Sequence, residues 1–280
     1  MCIRDSNNVD YAYTKGTSVF TKLNLNLEKG KVYGLLGKNG VGKSTLLKLI
    51  AGGIFPRSGT VHLGEFIPSN RKPQMYQEIF YLPEHFVENS LSIASYVKVN
   101  AGFYPKFHKE RMYDLLNLLE VNINSKIQNL SYGQTKKFYI AFGLACQTKY
   151  IFLDEPTNGL DIPSKSQFRK ILASNVTEDQ IVIISTHQVK DLTNLIEAII
   201  IIDDGEILLS KELYELENKL QFQHSYDADL GGSSIYKERT AGGYMHVSAN
   251  VDNEPSEIDL EILFNTVLHK KEDLLNILND

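Results

Sequence analysis

The run Val32-Tyr33-Gly34-Leu35-Leu36-Gly37-Lys38-Asn39-Gly40-Val41-Gly42-Lys43-Ser44-Thr45 decides how the rest of the chain is read. Val32–Leu36 is a short apolar run of strand type that stops at a glycine. Over Ser44–Ala51 the residues Leu46, Leu47, Leu49 and Ile50 recur at helical spacing, and Gly52-Gly53 ends the pattern. Between the two, Gly37–Ser44 fits G-x-x-x-x-G-K-[ST] in the strand–loop–helix setting that the motif requires. Glycines let backbone N–H groups close around phosphate oxygens, and the helix N-terminus adds positive potential. Lys43 is expected on the β- and γ-phosphates and the Ser44 hydroxyl on Mg²⁺. Gly37, Lys38, Asn39, Gly40, Val41, Gly42, Lys43, Ser44 and Thr45 are therefore the candidate nucleotide-binding residues.

A second apolar run, Ile151-Phe152-Leu153, ends in Asp154-Glu155 before Pro156. An acid at the tip of a parallel strand faces the crevice where ligands bind in such sheets. Asp154 is expected to hold the Mg²⁺ hydration shell. Glu155 is placed to activate a water for attack on a γ-phosphate. Either acid alone could also be read as a solvated turn residue; the pair behind an apolar strand and before Pro156 favours the site.

Outward from these motifs, β-branched runs alternate with helical stretches. Strand-like segments are Thr60–Leu63, Ile79–Leu82, Tyr150–Leu153, Ile181–Ser185 and Ala198–Ile202. Helical patterns cover much of 88–130, Tyr132–Gln147, Ser164–Ala173 and 188–196. This alternation predicts an α/β fold with a mostly parallel sheet covered on both faces. Beyond Ser210 the texture changes. Leu220–Tyr226, Ser234–Arg239 and Tyr244–Ser248 read as short antiparallel strands, with Ala241-Gly242-Gly243 as a turn. Ser256–Leu268 and Lys271–Leu278 read as helices.

The 280 residues are 42% hydrophobic and 22% charged, which excludes fibrous and disordered classes. The two cysteines, Cys2 and Cys146, exclude a disulfide scaffold or a cysteine metal cage. Apolar stretches such as Ala198–Ile202 fall far below the roughly 18 residues of a membrane span, and no signal peptide is visible, so a soluble cytoplasmic protein is expected. Residues 1–210 carry 23 Lys+Arg against 20 Asp+Glu, whereas residues 211–280 carry 6 against 14. The acidic tail disfavours nucleic acid as a partner and suggests a boundary near residue 211. Met1–Ser6 resembles the translation of a sequencing-library adapter. The segment is left out of the fold reading as non-native, with the natural start expected to be missing.

Leu130-Ser131-Tyr132-Gly133-Gln134 separates this chain from other nucleotide hydrolases. It resembles the signature of ABC-type ATPases and precedes the acid pair at the family's interval. Asn158-Gly159-Leu160-Asp161 resembles the family's D-loop, and His187 its switch histidine. Tyr13 sits where the family stacks an aromatic on adenine, with Tyr11 close by as the alternative. The resemblance covers residues 7–210. It implies a P-loop NTPase core, a small N-terminal antiparallel β part and a helical signature subdomain at about 88–147. Residues 211–280 then form a C-terminal α+β appendage, either a dimer brace or a regulatory lid. A finer likeness, in Asp161–Phe168 and the acidic tail, is to ATP-binding subunits of bacterial exporter-like systems.

The resemblance further implies two ATP molecules sandwiched between two head-to-tail domains, as a homodimer or heterodimer. Ser131, Gly133, Gln134 and Asp161 would then serve nucleotide bound to the partner. Lys43, Glu155 and His187 would be catalytic. ATP and Mg²⁺ are the implied cofactors, and a separate membrane-embedded permease is the implied partner. That places the chain peripherally on the cytoplasmic face of the membrane. The rival reading is a soluble ABC ATPase acting on ribosomes or nucleic acid. It is disfavoured by the single nucleotide cassette and the short interval between motifs.

Two residues depart from the family pattern. Glu84, in Tyr81-Leu82-Pro83-Glu84, stands where a glutamine is usual. A carboxylate keeps an oxygen for metal and loses the amide donor, so Glu84 joins Ser44 and Asp154 as a metal-site candidate, unless it is a plain exposed acid. Tyr132 stands where glycine is usual, which is compatible with phosphate contact if its ring points away. Phe86, Tyr96, Phe103, Tyr104 and Phe107 form either helical core or a groove for a permease helix.

Overall fold

The computed structural model describes residues 3–14, 16, 18–192, 194–229, 234–252 and 256–279, with the backbone alone at 3–7. Met1 and Cys2 lie outside the described residues. The chain begins with β1 (Ile3–Tyr11) and β2 (Phe20–Leu27), followed by β3 (Lys31–Leu36), α1 (Lys43–Ile50) and β4 (Ser58–Thr60). Next come α2 (Pro73–Gln77), β5 (Ile79–Leu82), α3 (Ile93–Asn100), α4 (Lys109–Leu118), α5 (Tyr132–Ala145) and β6 (Tyr150–Asp154). Then follow α6 (Ile162–Asn175), β7 (Ile181–Thr186), β8 (Ala198–Asp203) and β9 (Glu206–Glu212). The chain closes with α7 (Leu213–Lys219), β10 (Leu220–Ser225), β11 (Ser234–Thr240), β12 (Gly243–Ala249) and α8 (Leu260–Asn279).

The central sheet has the order β5-β6-β7-β3-β8-β9. All its pairs are parallel except β8 with β9. The strands β5, β6, β7, β3 and β8 are buried almost throughout, which is why they are largely apolar runs, whereas the antiparallel edge strand β9 is mostly exposed or half-buried. The two-residue period still divides them. Val32, Leu36, Val182, Ile184, Ile199 and Ile201 enter one core cluster. Tyr33, Leu35, Ile181, Ile183, Ile200 and Ile202 enter the other. The first cluster takes in α5 and α6, and the second takes in α1 and the strands β1 and β2 of the small antiparallel sheet β2-β1-β4.

Residues 3–6, left out of the sequence-based fold reading, run in β1, with Ile3 opposite Leu27 and Ser6 opposite Leu25. The segment expected as strand at Thr60–Leu63 is strand only over Ser58–Thr60, and Val61 and Leu63 are buried beyond it. The helix expected over 188–196 reduces to one 3-10 turn, Val189–Leu192. The buried Asp191 accepts there from Thr157 Oγ1 at 2.6 Å and Lys165 Nζ at 2.8 Å, which pins the turn to the loop after β6.

Near the C-terminus, β9 completes the central sheet, so the charge change at residue 211 falls inside a strand. The three-stranded sheet β10-β12-β11 follows. Helix α8 carries non-helical angles at Lys270, where two expected helices meet. Leu216, Leu220, Leu263, Val267 and Leu274 share a core cluster with α5 and α6, so the acidic segment is built onto the same core.

Among the aromatics after Glu84, Phe86 stacks on Tyr139 at 4.7 Å and Tyr96 meets Phe138 edge-on at 5.3 Å. Tyr104 and Phe107 lie against Phe142. These four are packing residues, whereas Phe103 is 65% exposed.

Helix α5 crosses β5 closely. A Cβ on Gly143 would fall 2.1 Å from Phe80 Cε1, inside the ring's van der Waals envelope. Gly143→Ala is expected to destabilise by about 1–3 kcal/mol through overpacking. At roughly 2–4 °C per kcal/mol, thermal denaturation should fall by several degrees. Adding Phe80→Leu should recover part of the loss. An unchanged midpoint in the single variant would contradict this packing.

Candidate functional site

The phosphate loop joins β3 to α1. Gly42, at φ +114°, precedes the helix, and a Cβ there would fall 2.8 Å from the Phe20 ring, so both backbone and space require glycine. No side chain caps the helix and no acid lies in its first turn, which leaves its N–H groups to an anion. Lys43 is buried, and its Nζ donates to Gly37 O at 2.8 Å and Lys38 O at 3.2 Å. Burial pulls its ammonium below the ordinary lysine range, against the attraction of Glu155, Asp154 and Glu84. Lys38 faces Asp203 at 3.5 Å on the surface.

The acid pair stands at the tip of β6. Asp154 is buried, with Oδ1 accepting from Ser185 Oγ at 2.6 Å and Oδ2 from Tyr81 Oη at 3.2 Å. Burial first and Asp154 second raise the Tyr81 phenol, so it keeps its proton and donates. Glu155 is 5% exposed and sits at φ +48°, the left-handed region. Its Oε1 lies 3.0 Å from His187 Nδ1 and 3.8 Å from Lys43 Nζ. A carboxylate only accepts, so His187 carries a proton on Nδ1. Lys43, Glu155 and His187, separated widely in sequence, thus meet where β3, β6 and β7 run side by side.

Tyr11 is buried. Tyr13 is 60% exposed, with its hydroxyl 2.7 Å from Thr45 Oγ1, so Tyr13 is the aromatic available above the loop. Ser44, half-buried, and Asp154 offer hydroxyl and carboxylate oxygens, and the half-buried Glu84 is a second carboxylate. No cluster of three His, Cys, Asp or Glu that could hold a metal by itself occurs among the described residues. This partial oxygen set fits Mg²⁺, which keeps water and phosphate ligands. Glu84 Oε1 accepts from Asn158 Nδ2 at 3.3 Å.

The signature residues open α5. Ser131 and Gln134 form a capping box: Ser131 Oγ accepts from Gln134 N, and Gln134 Oε1 accepts from Ser131 N, each at 3.2 Å. A Cβ on Gly133 would lie 3.4 Å from Gly159 O. Tyr132 turns towards its own subunit and donates to Glu84 O at 2.6 Å. Asp161 caps α6 through Ser164 N at 2.9 Å, which holds its carboxyl below the usual range. Tyr81, Ser185 and Lys136 were not singled out from sequence. Tyr81 and Ser185 lie on the two strands flanking β6, a neighbourhood that linear spacing does not show. Lys136 is wholly buried, and burial pulls it down to about 8 despite Glu84, Glu155 and Asp154. Its signal was a lysine one helical turn before the buried Ile140.

The ABC transporter family profile matches residues 20–158. The ABC transporter ATP-binding protein YtrB of Bacillus subtilis (strain 168) is 30% identical over 218 residues, covering 77% of this chain and 74% of that protein. The lantibiotic transport ATP-binding protein SrtF of Streptococcus pyogenes is 32% identical over 213 residues, covering 75% and 91%. Among solved structures, an ATP-binding subunit of an ABC transporter superposes with a TM-score of 0.69 at 19% identity, covering 76% and 91%. A dimeric post-hydrolysis ATP-binding cassette with ADP and Pi gives 0.66 at 24%, covering 76% and 99%. At these identities the structures speak for the fold. The matched sequences, which span about three quarters or more of their own length, settle the family: the chain belongs to the ABC transporter ATP-binding proteins, which are ATP hydrolases.

Proposed function

We propose that the chain hydrolyses ATP in a composite site formed by two head-to-tail copies or by a related partner subunit, and that this drives a separate membrane permease. The observation that carries the reading is the buried Glu155 carboxylate between Lys43 and His187. A carboxylate kept from water and fixed at the mouth of a phosphate loop suits proton abstraction from an attacking water. Lys43 neutralises the phosphates. Tyr13 stacks on the base. Mg²⁺, held by Ser44 and Asp154 with Glu84 alongside, would supply charge neutralisation at the phosphates. His187, with Nδ1 3.0 Å from Glu155 Oε1, would orient the γ-phosphate.

The composite arrangement is supported by the state of the signature. Ser131 is exposed at the start of α5, and its hydroxyl, which accepts from Gln134 N, keeps its own proton to donate to a nucleotide carried by a second subunit. Exposed apolar residues on the helical subdomain, among them Val99 and Phe103, suit contact with a permease. No described helix is long and apolar enough to cross a membrane. The proposed location is peripheral, on the cytoplasmic face of the membrane.

Three substitutions test the site. Glu155→Gln should lower kcat by at least about 100-fold with ATP binding retained. Asp154→Asn should raise the Mg²⁺ concentration for half-maximal turnover about tenfold or more. Tyr13→Ala should weaken ATP binding about three- to tenfold, from the roughly 0.5–1.5 kcal/mol of a stacking contact, with Tyr13→Phe near wild type. Unchanged turnover in Glu155→Gln would overturn the base assignment. Fractionation of native cells tests the coupling: the chain should pellet with membranes, and sedimentation with ribosomes instead would favour the soluble class.

A further inference from the structure

Lys136 buries an ammonium and pairs it with backbone carbonyls. Its side chain is 0% exposed. Nζ donates to Glu155 O and, at 2.9 Å, to Asn158 O. Asn158 N donates to the same Glu155 carbonyl at 3.2 Å, so that carbonyl is held twice. On the other side of the residue, Glu155 N donates to Ser185 O and Ser185 Oγ, each at 3.1 Å. Both backbone groups of Glu155 are therefore clamped. The clamp matters because a left-handed, non-glycine residue persists only where its surroundings over-determine it.

Burying an ammonium is unfavourable, and an apolar side chain of similar length would fill the same space without that penalty. The lysine is instead embedded in a polar knot. The Tyr132 ring lies 5.1 Å from Nζ, and a Cβ on Gly159 would fall 2.7 Å from that ring. Tyr132 Oη donates to Glu84 O, and Asn158 Nδ2 donates to the Glu84 carboxylate. The segment after β5, the first turn of α5 and the 155–159 turn thus meet around one charge. The two residues that depart from the family pattern, Glu84 and Tyr132, are both in it.

We propose that Lys136 is a positioning residue for hydrolysis: it holds the Glu155 backbone so that the carboxylate stays between Lys43 and His187, and it ties that carboxylate to the signature turn of the same subunit. The proposal rests on the reading of Glu155 as the base. Lys136 makes and breaks no bond.

The test uses the full chain as wild type, Glu155→Gln, Lys136→Met and Lys136→Gln. It measures kcat, KM and equilibrium binding of a fluorescent ATP analogue, with rates expressed per nucleotide-binding site. Lys136→Met should lower kcat about 10- to 100-fold, as a misplacement near 1 Å does, with KM and analogue affinity within about threefold. Lys136→Gln, whose amide offers two N–H donors on a side chain one bond shorter, should recover several-fold. If Lys136→Met does not fold, Lys136→Gln decides by the same split between kcat and KM. Turnover of the folded variant within twofold of wild type, with Glu155→Gln inactive, overturns this proposal alone. A loss that disappears when rates are counted per binding site, as for a purely structural lysine, also overturns it. Turnover in Glu155→Gln equal to wild type removes the base assignment and this proposal with it.

Discussion

The Glu155 carboxylate is shut off from water, and its charge has to be met inside the protein. A buried unpaired carboxylate is strongly unfavourable, so partners must be close and well oriented. Lys43 and His187 supply them, from the loop after β3 and the residue after β7. Those elements are neighbours only because the sheet runs β6-β7-β3, which brings strands more than a hundred residues apart into register. The crevice beyond the carboxyl ends of such strands is where α/β sheets bind ligands. The order of the sheet is thus a condition of the chemistry.

The same demand shapes the loops. Glu155 leaves β6 in a left-handed conformation, and its backbone is gripped by Ser185 on one side and Lys136 on the other. Two residues on, Thr157 donates to Asp191, which also receives Lys165. The loop carrying the acid is therefore linked separately to the signature helix and to the turn after His187. Lys190 in that turn lies 3.5 Å from Glu261 of α8, so the C-terminal segment reaches the switch region as well as the shared core.

Much of the fold was legible because its signals are local. The phosphate loop, the β-branched strands and the antiparallel turn at Ala241-Gly242-Gly243 each follow from steric or periodic rules acting over a few residues. The 188–196 segment misled because its apolar spacing suggests a helix, whereas the long-range bonds of Asp191 hold a single turn there. The acidic tail suggested a break at 211, yet charge composition says nothing of sheet pairing, and β9 crosses that point. In the site, Tyr13 and Tyr11 could be separated only by burial. Tyr81 and Ser185 became visible only through strand adjacency, and Lys136 only through the carbonyls it meets.

The central claim is the proposal that each subunit holds the phosphate-loop half of one composite site and the signature half of the other. Sedimentation of Glu155→Gln with ATP and Mg²⁺ tests it most directly, because that substitution keeps the nucleotide contacts and removes the group that discharges them. The expected result is a doubling of mass that requires ATP and reverses when ADP replaces it. A stable monomer at saturating nucleotide, in the presence of intact ATP binding, would contradict a site completed by a second copy of this chain.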